Sequence, residues 1–276
     1  MLSVNTNAGA LTALQYLTNT NSQLQTTQNA ISSGLKVSSA KDNGAIYAIA
    51  QNMRGNVAGY SAVSDSLNRG ISVVDTAMSA AQSVSDLLIQ MKQNALAASD
   101  SSLDATSRTS LANDFQAMSD QITTIVENAS FNGINMVSDS AGTGSGSGIS
   151  TLASASDQSQ SISVGGQNLT VTHLAVGSAY TTQTTAASMV GTVSAAIATV
   201  NTALSALSSG AKKFSIQADF VSKLSDTLTT GIGNLVDANM AQESALLTSL
   251  QTKQQLGIQS LSIANQAPST VLSLFR

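Results

Sequence analysis

Apolar and small residues recur at three- and four-residue intervals along most of the chain. The least interrupted run goes from Tyr60 through Val63, Leu67, Gly70, Val74, Ala77, Ala81, Val84, Leu88, Met91 and Ala95 to Ala98. Ser, Asp, Asn, Gln, Thr and Lys fill most positions between. A stripe repeating every 3.5 residues keeps one seam of an α-helix against a partner helix. Such a helix is roughly 60 Å long, more than an ordinary compact domain accommodates. A second seam, Leu111, Phe115, Met118, Ile122, Ile125 and Ala129, follows the break Ser99-Asp100-Ser101-Ser102, and a turn this short predicts antiparallel helices. A third runs from Val190 through Val193, Ile197, Val200, Leu204, Leu207, Ala211, Phe214, Ala218 and Val221 to Leu228. The pattern predicts a mainly α fold, an elongated antiparallel coiled-coil-like bundle. The strong seams, including Leu67, Val74, Leu88, Phe115, Ile122, Val200, Leu204 and Phe214, should form a core within one chain.

The outer helices are weaker. Ala10 to Leu35 places Leu14, Leu17, Leu24 and Ile31 on its seam, but Asn21 and Gln28 interrupt it. The last helix has Met240, Leu247, Leu250 and Leu261 interrupted by Glu243 and Gln254, with Pro268 as its predicted stop. Polar seam residues reduce stability and select partner or register. A pair of such helices buries little alone, so several copies side by side would complete their core. This predicts self-assembly through Leu14, Leu17, Leu24, Ile31, Met240, Glu243, Leu247, Leu250 and Leu261.

Turn residues divide the rest. Ser32 to Gly44 reads as a connector, Ala45 to Met53 as a short helix, and Asn56 as the start of the long one. Phe131-Asn132-Gly133 ends the second helix, and Gly231-Ile232-Gly233 reads as a hinge. Between them, 138–185 is rich in Ser, Thr and Gly. Its tract Gly142 to Gly148 predicts a flexible loop, and Ile162, Val164, Leu169 and Val171 around Gly165-Gly166-Gln167-Asn168 predict a small β-hairpin insert. Both chain ends should meet at one end of the bundle, with the insert at the other.

Composition sharpens this picture. Of 276 residues only 9% are charged and 3% aromatic, with one Pro and no Cys. Uninterrupted helices with small neutral polar side chains suit surfaces that pack on copies of themselves. A net charge of −4 argues against a nucleic-acid partner. No apolar run long enough to predict membrane insertion and no conventional secretory signal is read, so export would need a dedicated apparatus. His173, placed on a predicted strand, is the single histidine, and Glu127 and Glu243 are the only glutamates. These residues offer no catalytic set, no metal site and no cofactor cradle, and the chain reads as a non-enzyme. The sequons at Asn128 and Asn168 are common by chance.

Several motifs then carry a resemblance. Asn5-Thr6-Asn7, the connector Ser32-Ser33-Gly34-Leu35-Lys36-Val37-Ser38-Ser39-Ala40-Lys41-Asp42, Gly70-Ile71-Ser72, Phe131-Asn132-Gly133, Ala264-Asn265-Gln266 and the ending Val271-Leu272-Ser273-Leu274-Phe275-Arg276 stand in order. On these residues the chain resembles bacterial flagellin in a short form. The resemblance implies an extracellular subunit that polymerises into the flagellar filament for motility, exported by the flagellar type III apparatus. It implies a D0 domain of helices at 1–40 and 234–276, and D1 helices at 41–137 and 186–233 around the insert at 138–185. It further implies other flagellin subunits, a flagellin chaperone, the filament cap and hook–filament junction proteins as partners, and O-linked sugars in the insert. The alternative is a hook–filament junction protein or another type III-secreted coiled-coil adaptor. The stretch resembling an innate immune receptor patch, Gln90, Lys92, Gln93 and Asn94, keeps charge only at Lys92. Asp219 stands where many relatives carry Arg beside Phe220.

Overall fold

The computed structural model describes residues 6–138, 147–155 and 159–273. Five helices lie among them: α1 (Ala8–Ser33), α2 (Gly44–Ala98), α3 (Ala105–Asn128), α4 (Gln183–Val236) and α5 (Met240–Ser273). Two small antiparallel pairs complete the fold, β1 (Ser130–Phe131) with β2 (Ile134–Asn135) and β3 (Ile149–Leu152) with β4 (Ser161–Val164). The chain forms two compact units, one from Met1–Gly55 and Thr227–Arg276, the other from Asn56–Asp226.

The second unit holds the larger core. Leu67, Val74, Leu88, Phe115, Ile122, Val200 and Phe214 are fully buried, and Leu204 packs half-buried against the same cluster. The helix ends around it are closed by side chains. Asp104 caps α3 by accepting from the Thr106 and Ser107 amides. Arg108 donates to the carbonyls of Ala98, Asp100 and Leu103, which fixes the turn after α2. Phe115 and Tyr180 meet edge-to-face with ring centroids 5.4 Å apart.

The β3–β4 hairpin lies against helical glycines. A Cβ built on Gly70 would stand 2.5 Å from the Thr151 methyl, and one on Gly210 would stand 2.5 Å from Val164. One on Gly59 would come within 2.8 Å of Ala155. Ser66 accepts from the Leu152 amide at 3.4 Å, and Gln217 donates to the Ala153 carbonyl at 2.9 Å. The absence of side chains on these glycines therefore lets the hairpin approach the helices.

Several local expectations are corrected. Ala45–Met53 is no separate helix: α2 is continuous from Gly44, because a single glycine within a helix weakens it by only about 1 kcal/mol. Gly231 to Gly233 is likewise inside α4. Pro268 does not stop α5, which continues through Ser273. A proline removes one donor and crowds one carbonyl, which weakens a helix without forbidding it. The insert's strand pairing also differs. β4 pairs with upstream β3, while the Gln167 and Leu169 amides donate to the Met136 and Val137 carbonyls. His173 lies in a turn, not a strand.

The β1–β2 hairpin leaves no alternating pattern in the sequence, because each strand has only two residues. Its turn residues Asn132 and Gly133 have φ of 50° and 79°, as a tight primed turn requires. The Gly142–Gly146 part of the glycine-rich tract, Asn5 and the ending Leu274-Phe275-Arg276 lie outside the described residues. Of the described helices, α4 has the length and composition to cross a membrane, yet its seam residues Val193, Val200, Leu207, Phe214 and Val221 are buried in the protein core.

The glycine contacts give a direct test. Gly210→Val is expected to lower the stability of the monomer by ~1–3 kcal/mol through overpacking. Hydrogen exchange should rise in β3 and β4. Unchanged stability and exchange would show that the hairpin does not depend on this contact.

Candidate assembly site

The first unit brings the two weak helices together. Asn7 caps α1 by accepting from the Ala10 amide at 3.0 Å, and its side-chain amide donates to the Ala264 carbonyl at 2.6 Å. Farther along, Leu17 lies against Gly257, 3.3 Å from the position a Cβ would take there. Gln254 then donates to Asn21 at 2.8 Å. These pairs run in opposite directions along the two helices, so α1 and α5 are antiparallel. Asn21 and Gln254, one polar interruption from each seam, therefore satisfy one another across the pair.

The connectors fix this alignment. Gly34 ends α1 in the left-handed region, with φ of 72°, where glycine carries no steric cost. The chain then pairs with the connector between α4 and α5. The Lys36 amide donates to the Val236 carbonyl and the Ala238 amide donates to the Gly34 carbonyl, each at 2.8 Å. Val37 and Val236 are buried beside this bridge. Asp42 holds the next turn: its Oδ2 accepts from the amides and hydroxyls of both Ser38 and Ser39. The Ser39 backbone bond, followed by the Ser38 hydroxyl, lowers the Asp42 pKa below the ordinary 3.8. Asn43 starts α2 by accepting from the Ile46 amide at 3.1 Å.

The predicted assembly residues occupy different environments. Leu250 is 1% exposed, while Leu17, Leu24, Ile31, Glu243, Leu247 and Leu261 are half-buried. Leu14 and Met240 are exposed. Glu243 and Lys36 line a cleft of about 300 Å³ with Thr26, Thr27, Ala30 and Leu246.

A second set of apolar residues lies off the seams. Tyr16 is 69% exposed, Leu256 56% and Ile263 70%, with Leu11, Leu246 and Ile258 also exposed. Their signal in the sequence is the presence of large apolar residues at positions the seam leaves for polar ones. Such a helix has apolar surface remaining after one seam is occupied.

The stretch compared with a receptor patch sits in the second unit. Gln90, Lys92 and Gln93 are exposed, whereas Met91 is buried. Asn94 is half-buried and accepts from the Tyr180 hydroxyl. Burial, with the Asp114 carboxylate contributing, raises the Tyr180 pKa to about 12. No group of three or more His, Cys, Asp or Glu side chains is arranged for a metal among the described residues.

Comparison with known families decides what this scaffold is. The bacterial flagellin N-terminal helical region matches residues 4–142, and the bacterial flagellin C-terminal helical region matches 190–275. The chain belongs to the bacterial flagellin family. Over 274 residues this flagellin is 46% identical to flagellin FljK of Caulobacter vibrioides, covering 99% of this chain and 98% of the relative. Flagellin FljM of the same organism is 45% identical with the same coverage. The Brucella melitensis flagellin is 34% identical over 283 residues, covering 100% of both chains. The protein is therefore an extracellular structural subunit of the flagellar filament, a helical polymer used for motility, and not an enzyme.

The connector of this flagellin has a defined acid response. With its folded pKa lowered, Asp42 contributes its full stabilisation above 3.8 and loses it as pH falls through the lowered value. NMR shifts of the Ser38 and Ser39 amides should therefore show an acid transition with a midpoint below 3.8, absent in Asp42→Asn. A midpoint at or above the ordinary value would contradict the capping geometry.

Proposed function

We propose that the first unit supplies the D0 layer of the filament and the second unit the D1 layer. The α1–α5 seam holds one subunit's terminal helices together. Their remaining apolar surface joins copies of the chain. Leu17, Leu24, Ile31, Leu247, Leu250 and Leu261 then prepare the helix pair, while Leu14 and Met240 contribute with Leu11, Tyr16, Leu256 and Ile263 to contacts between subunits. Glu243, on the cleft with Lys36, orients the start of α5. The observation carrying this reading is the exposure of large apolar residues on a helix pair whose seam is already occupied. Burial of such surface is a strong driving force for association, worth ~25 cal/mol per Å² before the costs of ordering.

The same reading assigns export to the flagellar type III apparatus. A chaperone would shield α5 before export, and the cap and hook–filament junction proteins would meet the subunit at the growing and basal ends. The family resemblance supports these finer assignments. In the second unit, the retention of charge only at Lys92 among Gln90, Lys92, Gln93 and Asn94 supports weak recognition by the innate immune receptor, because neutral amides form weaker hydrogen bonds than charged groups.

Assembly and monomer stability should separate by position. Leu256→Ala combined with Ile263→Ala should change monomer stability by no more than ~1 kcal/mol in total, as expected for exposed sites. It should nevertheless raise the critical concentration for seeded assembly. Leu250→Ala should weaken the α1–α5 pair by ~2–5 kcal/mol and impair assembly as well. Circular dichroism of monomers and electron microscopy of seeded filaments measure the two effects. Normal assembly by the double variant would remove the proposed role of the outward face.

Deletion of Leu247 to Arg276 provides a second check. Assembly should be lost while the helices of 56–226 remain folded, as read by filament imaging and hydrogen exchange. Filament formation by the truncated chain would overturn the terminal-helix mechanism.

A further inference from the structure

The chain contains two Asn-Gly sequences, Asn43-Gly44 and Asn132-Gly133, in opposite structural settings. Asn43 is tied into a helix start. Its side-chain oxygen accepts from the Ile46 amide at 3.1 Å, and its backbone carbonyl accepts from the Tyr47 amide at 2.9 Å. Gly44 is already the first residue of α2. Asn132 is exposed at the β1–β2 turn, and its side chain has no hydrogen bond among the described residues. A Cβ placed on Gly133 would meet no atom within 4 Å. The flanking strands have two residues each, and Ser130 and Phe131 are exposed. Local opening of so short a pair disrupts little packing.

We propose that Asn132 is a site of spontaneous succinimide formation and isoaspartate modification, while the helix cap protects Asn43. Asparagine is a thermolabile side chain, and glycine places no Cβ beside the attacking nitrogen. The backbone nitrogen of Gly133 attacks Cγ of Asn132. The Cγ–Nδ2 bond breaks, and Nδ2 leaves as ammonia with the proton lost from the Gly133 amide. Water then adds to one succinimide carbonyl and opens the ring to aspartate or isoaspartate. The sequence requires no oxidant or reductant. Each product adds a negative charge at the hairpin turn, and isoaspartate also adds a methylene to the backbone.

The test uses assembled flagellin filaments held under mildly alkaline conditions, and the same protein dissociated in urea. Peptide mapping by mass spectrometry, with isoaspartyl methyltransferase labelling, reads both sites. In the native protein, modification at Asn132 should exceed that at Asn43 by about fivefold or more, the population factor of a typical N-cap. In urea the two rates should converge, because glycine follows both asparagines and neither retains its fold. Equal rates in the native protein, or faster reaction at Asn43, would overturn the proposal. A difference that persists undiminished in urea would also overturn it, by assigning the selectivity to local sequence instead of structure.

Discussion

The backbone bridge between the two connectors fixes the alignment of the terminal helices. Residues 34–37 and 236–238 pair across a sequence separation that covers most of the chain. Once Gly34 and Val236 are held there, α1 and α5 leave the bridge in a fixed relation. Leu17 can then reach Gly257, and Asn21 can reach Gln254. A displacement by one residue would turn the opposed side chains about the helix axes and separate these pairs. The Asp42 cap holds the adjoining turn, so local hydrogen bonding and helix packing reinforce one another.

A related economy of side-chain volume operates in the second unit. Glycines at 59, 70 and 210 leave room for Ala155, Thr151 and Val164, so the β3–β4 hairpin packs directly on helix surface. Small residues serve two purposes in this flagellin. Along the seams Ala77, Ala81, Ala95 and Ala98 permit close helix packing, and beneath the hairpin the glycines admit a second chain segment. The scarcity of charged residues fits both, since closely packed surfaces bury few groups that require ion pairing.

Filament formation requires a subunit whose own helix pairing does not consume all its apolar surface. In the first unit the polar side chains of Asn21 and Gln254 bond to each other, while Tyr16 and Ile263 remain open to solvent. A soluble monomer with a single small seam would otherwise have little reason to carry large apolar residues outside it. Under the proposed assembly role, the same segments would encode both a marginal helix pair and a cohesive polymer.

Periodicity alone determined the strong core. Leu67, Val74, Phe115 and Phe214 fall on 3–4 spacings, and each is buried because a helix repeats its facing direction on that period. The connector motif and terminal motifs likewise carry the family resemblance by their residues alone. Tertiary structure decided which polar defects were partners, which apolar residues stayed exposed and which strand paired with β4. Those outcomes depend on segments far apart in sequence. Local pattern could not predict that Asn21 would meet Gln254 or that a hairpin would settle on Gly70 and Gly210. Nor could it distinguish Asn43, locked by a helix cap, from Asn132, exposed on a short turn.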